Sequence, residues 1–167
     1  MKFYEISKSA VVCQDSSYYL VNSCCINLGK EIIFVDTCLD TKLAAEFRAK
    51  MLAKFNPGKE TIIITHSNGD HYNAIKAYKD IPVVVCEELF NTNRAKSFKN
   101  KVRSHSIQTF SKEIVFGSTG NELIFRLVGG HTADSIYGYF PSERILIAGD
   151  NLISNMPQYF PVKDTNL

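Results

Sequence analysis

The residues best suited to chemistry lie in one short loop, residues 66–71, which contains two histidines and one aspartate. The loop directly follows the apolar run 61–64, a pattern typical of a buried β-strand. Polar side chains at a strand end face the crevice in which α/β proteins bind their ligands. Imidazole and carboxylate groups are ordinary ligands of zinc and related cations, and Gly69 permits a sharp turn that brings them together. The loop therefore predicts a metal site that uses His66, Asp70 and His71.

Two later stretches repeat the pattern of an apolar strand, a glycine and a side chain able to bind a metal. His131 follows Gly130 after the run 123–128, and Asp150 follows Gly149 after the run 145–148. Ligands gathered from distant parts of a chain are typical of a catalytic metal site rather than of a local structural zinc site. The full set of predicted ligands is His66, Asp70, His71, His131 and Asp150.

The segments that must position these residues are strands and helices in a mixed order. We expect strands over 18–21, 24–28 and 31–35, then a helix that begins near Asp40 or Thr41 and ends at Asn56. Strands over 61–65 and 82–86 follow, with helical segments over 72–78 and 87–98, and the chain between 107 and 148 reads as strands. This order predicts an α/β (α+β) fold of two sheets with helices on the outer faces.

Taken together, the three stretches resemble the signature of the metallo-β-lactamase superfamily of metallohydrolases. That signature reads H-x-H-x-D-H, then a histidine preceded by glycine, then Gly-Asp, then a last histidine. The loop 66–71, His131 and Asp150 match its successive parts, and the run 35–37 before the first helix also fits. The likeness extends over residues 22–151. It implies an αββα four-layer sandwich with the site at one edge, and we expect residues 1–167 to form a single such domain.

The resemblance also implies a metal-dependent hydrolase that acts on a small-molecule substrate. His66, His131 and Asp150 would hold one divalent ion, and Asp70, His71 and Asp150 a second, with zinc the first choice and iron or manganese as alternatives. A metal-bound hydroxide would attack an ester, thioester, lactam or phosphoester. Asp70 would orient this nucleophile and is the predicted catalytic residue.

Two departures from the family signature leave other functions open. Asn68 occupies the position of the second histidine, and no histidine follows His131. Either the chain is a shortened form or its site lacks that last ligand. The alternative function is therefore a degenerate, non-catalytic relative that serves as a binding or assembly module. A diiron redox enzyme is a third alternative, which is disfavoured because such relatives pair with a flavin domain and nothing in the sequence resembles one.

Three other residues are expected to have simple structural roles. Asp36 would accept hydrogen bonds from the loop behind the site, and His105 would lie at the surface in a basic stretch. Cys86 ends an apolar run and would be a small buried hydrophobe. The five cysteines include no C-x-x-C pair, so neither a disulfide framework nor a thiolate zinc site is expected.

Composition and charge argue against several classes of partner. The net charge of +2 is too small to favour a nucleic acid or an anionic membrane as a partner. No apolar run reaches the roughly 18 residues that span a bilayer. Residues 1–9 lack the apolar core of a signal peptide, so we expect a cytoplasmic protein. A missing C-terminal strand and helix would uncover an apolar face, which predicts a homodimer that covers it.

Overall fold

The computed structural model describes residues 2–152, so Met1 and residues 153–167 lie outside the described part. The last histidine of the family signature would lie beyond Asp150, and most of that part of the chain is outside the described residues. The first sheet contains β1 (Lys2–Glu5), β2 (Ala10–Asp15), β3 (Val21–Asn27), β4 (Glu31–Val35), β5 (Lys59–Ile63), β6 (Val83–Cys86) and β7 (Ile107–Phe110), adjacent in that order. The second contains β8 (Glu113–Ser118), β9 (Asn121–Leu127), β10 (Ile136–Phe140) and β11 (Ile145–Ile147), in the order β11-β10-β9-β8. The helices are α1 (Thr41–Phe55) and α2 (Ala95–Val102).

Strand direction changes in the middle of the first sheet. Strands β1 to β4 pair antiparallel, whereas β4 to β7 pair parallel. Because parallel strands point the same way, the loops that follow β4 and β5 meet at one edge of the sheet. This edge receives both Asp36 and the loop 66–71.

The first sheet is buried on both faces, which explains why its central strands read as continuous apolar runs. On one face, Phe34 and Ile62 pack against α1, α2 and the 3₁₀ turn Ile75–Tyr78. On the other face, Ile33 and Ile63 pack against Phe125 and its neighbours from the second sheet. The alternation of neighbouring residues between these two cores follows from the two-residue period of a strand.

Helix α1 begins and ends where its sequence signals predict. The Asp40 carboxylate accepts a hydrogen bond from the Leu43 backbone N–H at 2.8 Å, which caps the first turn. Asn56 adopts a left-handed conformation (φ 44°) at the other end, ahead of Pro57. Phe47 and Met51 are buried against the sheet, as the helical spacing predicts.

Three expected elements differ in the structure. The strand expected over 18–21 begins only at Val21, and Tyr18, Tyr19 and Leu20 form an exposed bend instead. The helix expected over 72–78 is a 3₁₀ turn over Ile75–Tyr78. The segment 87–98 divides into a 3₁₀ turn and α2, which continues into the basic stretch and buries Val102.

The second sheet presents a row of apolar side chains on its outer face. Val115, Ile124, Tyr139 and Leu146 are successive cross-strand partners, so they point to the same side of the sheet. Leu146 is 55% exposed and Val115 is 50% exposed. Within residues 2–152, both α-helices pack on the first sheet and none covers this outer row. No helix in that range is long and apolar enough to cross a membrane.

Candidate metal centre

The end of β5 fixes the orientation of the first histidine. The Thr65 backbone N–H and hydroxyl each donate to the Asp36 carboxylate at 2.8 Å. The Thr65 hydroxyl oxygen also lies 3.1 Å from His66 Nδ1, and because its proton goes to Asp36, it accepts the Nδ1–H. This arrangement leaves His66 Nε2 buried, with no hydrogen-bond partner. The predicted structural role of Asp36 is therefore what the structure shows.

The same carboxylate orients His71. His71 Nδ1 donates to Asp36 across 2.8 Å, which turns Nε2 toward the other predicted ligands. His71 Nε2 lies 3.4 Å from the Asp150 carboxylate and 3.7 Å from that of Asp70. Burial alone would lower the pKa of His71, but the charges of Asp36 and Asp150 and their hydrogen bonds raise it well above its ordinary value. A cation at this point would therefore displace a proton from His71.

His131 and Asp150 come from the ends of β9 and β11 in the second sheet. The Asn151 side chain connects the two loops, since its oxygen accepts from the His131 N–H at 2.7 Å and its NH₂ donates to the Gly129 carbonyl at 3.0 Å. Gly130 has φ +101°, and a Cβ there would lie 2.5 Å from that Asn151 oxygen. The glycine before His131 is thus required by backbone conformation and by close approach.

The five predicted ligands form two groups that share one carboxylate. The ligand atoms of His66, His131 and Asp150 all lie within 4.8 Å of one another, and so do those of Asp70, His71 and Asp150. The His66 ring centroid lies 4.0 Å from that of His71 and 5.0 Å from that of His131. The two groups would hold two neighbouring cations, with Asp150 available to both.

Unmet hydrogen-bonding capacity inside the cluster tests whether a cation fits. Among residues 2–152, the buried atoms without a hydrogen-bond partner include His66 Nε2 and the Asn68 side-chain oxygen, and His71 Nε2 faces the carboxylates of Asp150 and Asp70 at 3.4 Å and 3.7 Å. Buried polar atoms are almost always paired, so two unpaired atoms with lone pairs in one cluster indicate a binding site for a positively charged group. Two imidazole nitrogens and carboxylates are the donor set that zinc prefers.

Electrostatics place two of the ligands in their metal-binding forms. Burial, followed by the charges of His71, His131 and Arg94, lowers the pKa of His66 well below its ordinary value, so its imidazole is neutral at pH 7. Burial opposes ionisation of Asp150, but its hydrogen bond with His71 and the charges of His71 and His131 lower its pKa overall. A neutral imidazole and an ionised carboxylate are the forms that coordinate cations.

Two site neighbours were not among the residues predicted for the site. The hydroxyl of Tyr19 reaches the site from the bend before β3: burial raises its pKa, and so do the charge of Asp70 and a hydrogen bond to it. Asp134 is buried and accepts a hydrogen bond from the Ser67 hydroxyl at 3.0 Å. The only sequence signal for Tyr19 was an aromatic pair in a segment that we expected to be a strand.

The remaining expectations concern residues away from the ligand groups. Cys86 is 2% exposed, which confirms the prediction of a buried hydrophobe. His105 is half-buried rather than fully exposed, because it closes the turn after α2 with its N–H on the Val102 carbonyl. It belongs to neither ligand group.

Comparison with known proteins agrees with the fold. The family model of the metallo-beta-lactamase superfamily matches residues 12–162, and the chain belongs to that superfamily. A metallo-beta-lactamase from Pontibacter korlensis has a similar solved structure, with a TM-score of 0.75 at 18% identity, and the match covers 99% of this chain and 79% of that one. The αββα sandwich fold expected from the sequence is thereby confirmed, and within residues 2–152 its α-helices lie on the first sheet.

Curated relatives carry the names of two different hydrolases. A metallo-beta-lactamase type 2 from Bacillus sp. (strain 170) is 28% identical over 128 residues, which cover 77% of this chain and 49% of the relative. A hydroxyacylglutathione hydrolase from Bartonella henselae is 32% identical over 97 residues, which cover 57% of this chain and 35% of the relative. The chain thus spans about half the length, or less, of these relatives.

Proposed function

We propose that this protein is a metal-dependent hydrolase that binds one or two divalent cations at the edge of the sandwich. Zinc is the first candidate, and iron or manganese are alternatives. The observation that carries the proposal is that the unpaired His66 Nε2 and the inward-facing His71 Nε2 lie in two ligand groups that share Asp150. His66, His131 and Asp150 would hold one cation, and Asp70, His71 and Asp150 the other.

A bound divalent cation would supply Lewis acidity, which activates water and polarises a carbonyl or phosphoryl group. The chain's own residues prepare the site for this chemistry. Asp36 holds His71 with Nε2 facing inward, and Thr65 does the same for His66. The Asp70 side chain is 20% exposed, so its carboxylate can accept a hydrogen bond from an incoming water and orient it. We assign Asp70 the role of the catalytic residue on this basis.

The substrate class follows from the site and from the names of the relatives. Esters, thioesters, lactams and phosphoesters share an electrophilic centre that water attacks. The relatives' names make a β-lactam and a hydroxyacylglutathione the first two substrates to test. A phosphodiester and a simple ester complete the panel.

The test combines metal content with substrate turnover. The purified chain is stripped with a chelator, incubated with excess zinc, freed of unbound ion and measured by elemental analysis. We expect about one to two ions per chain, with little retained by Asp150→Ala because this carboxylate belongs to both groups. Arg103→Ala, which removes an exposed side chain at the end of α2, is the control and should retain the wild-type content. Wild-type content far below one ion per chain would remove the basis of the proposal.

The second candidate function is a non-catalytic binding or assembly module. Its support is that the Asn68 NH₂ lies 2.9 Å from His131 Nε2, where it occupies the lone pair a cation needs. On this view, the chain turns over no member of the panel, and Asn68→His raises metal affinity markedly. Turnover by the wild-type chain that Asn68→His abolishes would exclude the second candidate.

A further inference from the structure

Asn68 is a polar side chain inside the ligand cluster whose hydrogen bonding is incomplete. Its NH₂ donates to His131 Nε2 at 2.9 Å, while its oxygen is buried with no hydrogen-bond partner. A buried acceptor without a partner keeps the cost of its desolvation, so this orientation is unfavourable unless the oxygen finds a partner. Nothing in the ligand set assigned from the sequence uses this side chain.

The two ends of the amide exchange places when it turns by half a revolution about the Cβ–Cγ bond. After such a turn the oxygen would face His131 Nε2, and two lone pairs would repel each other at that separation. A cation bound by His131 removes this conflict, because it takes the nitrogen lone pair and attracts the amide oxygen. The empty and loaded states of the site therefore favour opposite orientations of Asn68.

We propose that Asn68 is an oxygen ligand of the cation held by His66, His131 and Asp150, and that its amide turns over when the cation binds. This inference rests on the proposed function, because it requires a cation at that group. With Asn68 included, this group would offer the cation two imidazole nitrogens and two oxygen atoms. Oxygen donors suit harder ions, so the site should accept manganese more readily than a three-histidine site would.

The first experiment measures cation binding at the group that contains Asn68 with the other group disabled. In an Asp70→Ala background, the second group retains only two ligands, His71 and Asp150. Zinc and manganese are titrated calorimetrically into this parent and into versions that also carry Asn68→Ala, Asn68→Asp or Asn68→His. We expect Asn68→Ala to lower the affinity for both ions by about tenfold. Asn68→Asp keeps an oxygen at this position and should bind both ions at least as tightly as the parent. Asn68→His should shift the preference toward zinc by about tenfold.

A second measurement follows the amide itself in the full wild-type chain. Side-chain NH₂ signals of Asn68 are identified in ¹H–¹⁵N spectra by their loss in Asn68→Asp. We expect them to shift on addition of zinc, because the NH₂ leaves His131. The exposed Asn91, whose NH₂ donates to Glu88 at 3.0 Å, provides a control signal that should not move, and Asn91→Ala is the control variant for calorimetry.

The possible failures are distinguishable. If the parent and the wild-type chain bind no cation, the proposed function fails. If they bind a cation and Asn68→Ala binds it with the same affinity, only the assignment of Asn68 is wrong. Weaker binding by Asn68→Asp than by Asn68→Ala would show that an oxygen at this position does not bind the cation, which also overturns the assignment. The same substitutions in the wild-type background give the answer if Asp70→Ala does not fold.

Discussion

Asp36 decides which nitrogen of His71 faces the candidate metal centre. In Asp36→Asn, the amide oxygen can still accept the Thr65 N–H, but the NH₂ would then stand beside His71 Nδ1. An NH₂ group needs an acceptor there, so the imidazole proton would move to Nε2, the atom that must bind the cation. We expect the affinity of the group containing His71 to fall by about 10- to 100-fold.

Calorimetric titration of the second equivalent of zinc measures this effect, and the ¹⁵N shifts of His71 report its tautomer. Asp80→Asn is the matched control, because Asp80 is exposed and has a positive φ of 66° that asparagine also tolerates. Wild-type affinity in Asp36→Asn would mean that the hydrogen bond to Nδ1 does not control His71.

Asp134 is a buried carboxylate whose charge works against folding. Burial raises its pKa, despite the hydrogen bonds from the hydroxyls of Thr132 and Ser67. A raised folded-state pKa means that the folded chain loses stability as pH rises from the ordinary pKa of aspartate, 3.8, toward the raised value. Asp134→Asn keeps an acceptor for Ser67 and removes the charge.

We expect Asp134→Asn to increase the free energy of unfolding by about 1 kcal/mol at pH 7 and to have little effect near pH 3. Urea denaturation of chelator-treated protein at both pH values measures the difference. Equal effects at the two pH values would show that the charge of Asp134 is not responsible.

The five ligand candidates could be found from the sequence because each follows a local pattern of strand, glycine and polar residue. Their neighbours could not, because those contacts join residues far apart in the chain. Ser67 meets Asp134, and Asn68 meets His131, only after the two sheets have packed together. Asp36 is the exception, since its position at a strand end already indicated a structural role.

At the scale of elements, α1 was foreseen because its signals are local: a capping aspartate, a helical apolar face and an Asn-Pro-Gly stop. The bend at Tyr18–Leu20 was not, because β-prone residues were taken for a strand. Exposure of Tyr18 (84%) and Leu20 (67%) shows that packing overrides this propensity. The sequence patterns also did not distinguish the 3₁₀ turns after β5 and β6 from α-helix, because a short 3₁₀ turn is only a more tightly wound helix.

The cap of α1 can be removed without touching the site. Asp40→Ala deletes the carboxylate that accepts the Leu43 N–H, and we expect a loss of about 1 kcal/mol in the free energy of unfolding. Zinc affinity should be unchanged, because α1 packs on the face of the first sheet that faces away from the second sheet. Urea denaturation and calorimetry measure the two quantities. Lys42→Ala, an exposed change in the same turn, is the control, and a comparable loss there would refute the role of the cap.

At the scale of the molecule, the outer row of the second sheet offers a place for a second copy. Leu146 and Val115 are about half exposed in a row that runs across all four strands. The homodimer expected from the sequence would bury this row. We expect Leu146→Lys to shift the chain to monomer while changing the free energy of unfolding of the monomer by less than about 0.5 kcal/mol.

Light scattering across a range of protein concentrations measures the association. Tyr18→Lys is the control, because Tyr18 is exposed but lies in the bend before β3, outside the outer row. A wild-type chain that remains monomeric at high concentration would show that the homodimer expectation is wrong.

The two sheets are joined at the site by the backbone, since the Ile136 N–H of β10 donates to the Thr65 carbonyl after β5 at 3.0 Å. The candidate ligands are divided across this junction, with His66, Asp70 and His71 on one side and His131 and Asp150 on the other. Any sliding of one layer past the other would pull the two sides apart. Occupancy of the centre and the opening rate of the interlayer core are therefore linked, so a loaded chain should exchange its innermost amide hydrogens more slowly than a stripped one.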